Sequence, residues 1–92
     1  MHSKCDRDVE ARVREAERRG QPQEIAVLVT LRPGTSWETL ERHGLQVHRA
    51  FEDLRAVSGS VQTPRLRDLA ALDGVLRIEF DGEVRALPAD VE

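Results

Sequence analysis

A chain of 92 residues and 10.4 kDa makes one domain at most, which excludes two-domain enzymes, and at this size only about 60 to 65% of the unfolded surface is buried, which argues against a deep substrate cleft. With 39% hydrophobic and 34% charged residues the composition is that of a globular chain, and no apolar run approaches the roughly 20 residues of a membrane span. Fourteen Lys plus Arg against 17 Asp plus Glu leave a net charge of -3, which offers no overall attraction to nucleic acid or to an anionic membrane. Cys5 alone makes no internal disulfide, and MHSKCDRDVE contains no apolar stretch of a signal peptide, so the chain as it stands is expected to be cytoplasmic.

Residues 6 to 19, DRDVEARVREAERR, place acids early and Arg late, which suits a helix dipole. Asp8 with Arg12, Glu10 with Arg14 and Glu15 with Arg19 are acid-before-base pairs at i,i+4. The apolar stripe is only Val9, Val13 and Ala16, so the expectation is a solvated polar helix, a weakly packed arm ended by Gly20-Gln21-Pro22. From Glu24 the period switches to two, and Ile25, Val27, Val29 and Leu31 mark a strand closed by Pro33-Gly34. Thr35 and Glu38 have capping-box spacing for a short helix over 36 to 43, stopped by Gly44. A second strand is predicted from Leu45 to Phe51, a tight turn at Glu52-Asp53, and a third strand from Leu54 to Gln62. Thr63 as N-cap and Pro64 at the first helical position open a second short helix carrying Leu66, Leu69 and Ala70, ended by Gly74. The last strand is Val75 to Phe80, followed by an extended tail, Glu83 to Leu87.

The order is β-α-β-β-α-β behind an N-terminal polar helix. It predicts an α+β, ferredoxin-like fold: a four-stranded antiparallel sheet with both helices on one face. Residues 1-22 form the polar helical arm, 23-87 the domain and 88-92 a C-terminal tail. Alternation assigns Ile25, Val27, Val29, Val47, Phe51, Val57, Val61, Leu76, Ile78 and Phe80 to the core, facing Trp37, Leu40, Leu66 and Leu69. The other face then carries Ala26, Leu28, Thr30, His48, Ala50, Ala56, Ser58, Ser60, Val75, Arg77, Glu79 and Asp81. An open sheet face ordinarily bears long polar side chains, whereas this one is small-residued. It reads either as a docking surface or as small residues that tolerate exposure.

Three segments, VLVTLRPG at 27 to 34, LRAVSGSV at 54 to 61 and LAALDGVLRIEFDGEV at 69 to 84, resemble the pro-domains of subtilisin-like serine proteases, a module that also occurs alone as small proteinase inhibitors of the I9 type. The resemblance covers roughly Ile25 to Leu87 and rests on order and spacing. It implies an inhibitor or folding chaperone of a subtilisin-like protease, docking through Ala26, Leu28, Ala56, Ser58, Ser60, Glu79 and Asp81. Glu79 and Asp81 match alternate acidic positions that cap helix N-termini of the protease, a role that fits the unsatisfied N–H groups there. The alternative for both is ordinary edge-strand charge. Glu83, Val84, Arg85, Ala86 and Leu87 occupy the place of the inhibitory tail, which enters the substrate cleft as an added strand. Pro88 to Glu92 extend beyond that tail, leaving its register open between Leu87 and Glu92. The chain is then either a stand-alone inhibitor acting in trans or an excised pro-domain, which would be secreted.

Catalytic chemistry has poor candidates. Cys5 has no predicted neighbour to activate it, and His2, His43 and His48 share no metal-ligand spacing, so no enzyme activity, metal or cofactor is expected. The glycines are isolated and form no phosphate-cradling loop. Arg18, Arg19, Arg65 and Arg67 lack aromatics to stack bases, which argues against nucleic acid. The protein is expected to be a monomer when free, or, as a regulatory or oligomerisation module, a homodimer through the same sheet face.

Overall fold

The computed structural model describes residues 4–81. An N-terminal helix α1 (Arg7–Arg19) precedes β1 (Glu24–Leu31), α2 (Glu38–Arg42), β2 (Gln46–Phe51), β3 (Ala56–Gln62), α3 (Leu66–Ala71) and β4 (Val75–Phe80). The four strands pair antiparallel in the order β2-β3-β1-β4. β3 therefore lies between β1 and β2, and β1 between β3 and β4. Each β-α-β unit is split by a strand of the other, as the ferredoxin-like arrangement requires.

β1 keeps the predicted alternation: Ile25, Val27, Val29 and Leu31 are buried between half-exposed neighbours. They form one core cluster with Val57, Val61, Val75 and Ile78 of the sheet and with Leu40, Leu66, Leu69 and Ala70 from α2 and α3. The helices thus cover one face, and among the described residues the other stays open.

α1 is a correction to the expected solvated arm. Val9 is 0% exposed, Val13 and Ala16 are buried, and Val9 and Val13 join the core cluster. Chain pairing ahead of the helix explains how so narrow a stripe anchors it. Ile78 donates its N–H to the Lys4 carbonyl at 2.8 Å, Asp6 donates to the Ile78 carbonyl at 3.1 Å, and Cys5 bridges Ile78 in parallel, so residues 4–6 line the outer edge of β4. Lys4 Nζ adds a bond to the Leu72 carbonyl at 2.9 Å. Asp6 caps the helix, accepting from Val9 N–H, and Gly20 ends it at φ 69°. Of the predicted pairs, Glu10 with Arg14 and Glu15 with Arg19 form. Arg12 instead lies over the Phe80 ring at 4.1 Å.

The predicted caps of the short helices are replaced. The Ser36 hydroxyl, not Thr35, accepts from Glu38 N–H at the start of α2. Thr63 is buried and its hydroxyl accepts from Gln23 N–H at 3.2 Å, tying the start of β1 to the end of β3, and residues 63–65 form a 3-10 turn before α3. The β2-β3 connection is also longer than a two-residue turn. Glu52–Leu54 form a 3-10 turn, Arg55 adopts left-handed φ 51°, and Leu54, expected in a strand, is 69% exposed.

Two bulges overturn parts of the predicted alternation. Between β1 and β4, Thr30 pairs with Arg77 and Leu31 with Val75, so Leu76 is the extra residue. Val75, expected on the open face, is therefore in the core at 0% exposure, and Leu76, expected in the core, is 43% exposed. Between β2 and β3 the register shifts between Val47 and Arg49, so that Ala50 pairs with Val57 and Phe51 with Ala56. Ala50 thus moves to the helix side and Phe51 to the open face, the reverse of the prediction.

Candidate functional site

The face opposite the helices is a small grid whose rows follow from pairing. One row runs Gln46, Ser60, Ala26, with Asp81 donating its N–H to the Ala26 carbonyl at 2.9 Å. The next runs Arg49, Ser58, Leu28, Glu79, and the third Phe51, Ala56, Thr30, Arg77. The predicted docking residues Ala26, Leu28, Ala56, Ser58, Ser60 and Glu79 accordingly share one face, with Asp81 just past the end of β4.

Their accessibility differs. Ala26, Leu28, Ser58, Ser60, Glu79 and Asp81 are half-buried, whereas Ala56, between Phe51 and Thr30 in its row, is buried. The centre of the face is low because β1 and β3 place Ala, Ser and Thr there, with Leu28 as its largest apolar side chain. Glu79 is already engaged: Arg77 Nε reaches its carboxylate at 2.8 Å, two residues back on the same face of β4.

The β2 side of the face was missed by unbroken alternation. The bulge brings Arg49 and Phe51 onto it, and the Arg49 guanidinium lies 5.3 Å from the Phe51 ring centroid. His48, at the bulge, points its Nε2 to within 3.4 Å of the Ser60 hydroxyl. The available signal was Gly59 in mid-strand, since a strand glycine marks a bulge or a close backbone approach. A Cβ there would run into the Gln46 carbonyl oxygen of β2.

Cys5 is buried in the core cluster, and burial, with Glu10 and Asp6 nearby, pushes its thiol pKa above the ordinary range. That favours an inert packed thiol over a nucleophile. His43 is held by its own helix, with Nδ1 2.9 Å from the Thr39 carbonyl. Among the described residues no group of three or more His, Cys, Asp or Glu is placed to hold a metal ion, and no helix is long and apolar enough to cross a membrane. The predicted tail residues Glu83, Val84, Arg85, Ala86 and Leu87, and the segment from Pro88 to Glu92, lie outside the described residues. No protein-family model, curated protein or solved structure matches the chain.

Proposed function

We propose that the protein is a protease-binding module of the kind its sequence resembles, an inhibitor or folding chaperone of a subtilisin-like serine protease. The observation that carries the proposal is the helix-free sheet face, low across Ala26, Leu28, Ser58 and Ser60 and bordered by Glu79 and Asp81. Small side chains let two helices of a partner lie close against the strands. Carboxylates at the border suit exposed helix N-termini, at about 0.3 to 1 kcal/mol each. Glu83 to Leu87 then enter the active site as an added strand, backbone bonds giving affinity and alternate side chains filling pockets. Leu87 suits an apolar primary pocket. The reading assigns no catalysis and no cofactor to this chain. It puts the chain where its protease works, in the cytoplasm as a stand-alone inhibitor or outside the cell as an excised pro-domain.

The test is steady-state inhibition of purified subtilisin-like proteases by the full chain beside a version ending before Glu83. Potent inhibition lost on truncation is the expected result. A folded full chain that leaves several such proteases uninhibited defeats the reading.

A further inference from the structure

The open face is charged in a pattern complementary to itself. Arg49 on the β2 edge and Glu79 on the β4 edge belong to one row across the sheet, and Phe51 and Arg77 hold the same two ends of the next row. Two identical faces meet about a two-fold axis lying between them, and two orientations of that axis are simple. An axis running across the strands through the first of these rows sets Arg49 against Arg49 and Glu79 against Glu79, which is repulsive. An axis along the strands lays the β2 edge of one copy over the β4 edge of the other and keeps the rows aligned. Arg49 then meets Glu79 of the second copy, and Phe51 meets its Arg77. Each Glu79, already held by its own Arg77, receives a second guanidinium, and each Phe51 ring, already beside its own Arg49, receives one on its other side.

Steric conditions agree. Aligned sheets pack about 10 Å apart with strands within about 30°. The low centre at Ala26, Ser58 and Ser60 permits that spacing, with Leu28 in contact near the axis. Four strands about 4.8 Å apart and roughly six residues long make a patch of about 20 by 20 Å. Two such patches hide on the order of 1,000 Å2, the lower limit for a specific interface.

We infer that the free chain pairs with a second copy of itself through this face, about a two-fold axis along the strands, weakly and reversibly. The inference stands on the charges of the face and needs no protease. If a protease also docks there, the two associations exclude one another, and self-pairing hides the face until a tighter partner displaces it.

Sedimentation equilibrium of the full chain without protease, from low micromolar to millimolar concentration, tests this. A reversible monomer-dimer equilibrium is expected, weakened about tenfold or more by Arg49→Glu or by Glu79→Arg, since each sets like charges opposite one another twice per dimer. Mixing the two variants restores dimerisation. At one end of the heterodimer the acid introduced at position 49 meets the base introduced at position 79, and at the other end the unchanged Arg49 meets the unchanged Glu79. Circular dichroism checks that each variant is folded. Where a charge reversal disrupts folding, Arg49→Gln and Glu79→Gln take its place, with a several-fold weakening expected. A wild-type chain that stays monomeric, a dimer indifferent to these substitutions, or folded charge-reversed variants that fail to recover on mixing would each overturn the inference.

Discussion

Asp6 and Phe80 are joined by a hydrogen bond in which the backbone N–H of Phe80 donates to Oδ2 of Asp6 at 3.3 Å, while Oδ1 of the same carboxylate accepts from Val9 N–H at 2.9 Å. One side chain therefore fixes both the first turn of α1 and the end of β4. Replacing Asp6 by Ala removes an N-cap, at about 0.5 to 2 kcal/mol, and strands the Phe80 N–H as well. The expected loss is about 2 kcal/mol, read as a drop of roughly 8 to 16 °C in Tm for a domain of this size. Asp6→Asn keeps a capping oxygen and should recover part of the loss. An Asp6→Ala protein melting with the wild type would show that the Asp6 carboxylate contributes nothing to the fold.

Gly59 supports the opposite edge of the sheet. In most strand interiors Gly→Ala stabilises by roughly 0.5 to 1 kcal/mol, because Gly loses more backbone freedom on folding. At position 59 a Cβ collides with the Gln46 carbonyl oxygen, a backbone atom held in the β2-β3 ladder at the bulge. Gly59→Ala is therefore expected to destabilise by about 2 kcal/mol or more, and the sign alone is decisive in a urea titration. It should also disturb Arg49 and Phe51, whose placement on the open face depends on that bulge.

These two positions show what the sequence did and did not disclose. The period-two pattern of Ile25 to Leu31 identified β1 because that strand is central and regular, with one face against the helices throughout. The positions of Ala26, Leu28, Ser58 and Ser60 on a common face followed from the same period. Leu76 and Phe51 were misassigned because a bulge adds one residue and reverses every side chain beyond it, while the composition of the strand scarcely changes. The burial of α1 was invisible for another reason. Val9, Val13 and Ala16 are too few to announce a packed helix, and what holds it in place is backbone pairing of residues 4–6 with β4 together with the Asp6 carboxylate, neither of which shows in the apolar pattern.

Cys5 makes stability depend on pH in the alkaline range. Burial raises the folded thiol pKa above the unfolded one, so between the two values the folded chain binds more protons than the unfolded chain. The contribution is fully present below the unfolded thiol pKa of about 8.5 and is lost as pH rises through the folded value, with a slope of at most about 1.4 kcal/mol per pH unit. Urea titrations from neutral to alkaline pH should show that decline in the wild type and a flatter profile in Cys5→Ala, whose stability is lower at neutral pH. Parallel profiles would show that the thiol is not the titrating group.

Removal of residues 1–22 separates an arm from a structural element. Val9 alone buries two methyl groups beyond Ala, at about 0.8 kcal/mol each with a cavity contribution in addition, so Val9→Ala should destabilise by about 2 kcal/mol. Truncation also uncovers Ile78 and the outer edge of β4, and it removes the ion pair between Glu17 and Arg67, which joins α1 to α3 at 3.4 Å. A domain of this size holds little stability in reserve. The expected result is that residues 23–92 no longer unfold cooperatively and exchange their amide hydrogens rapidly, while Val9→Ala remains folded with a reduced melting temperature. A truncated chain with the wild-type melting transition would return α1 to the status of an appendage, because the strand edge and core it covers would then be stable without it.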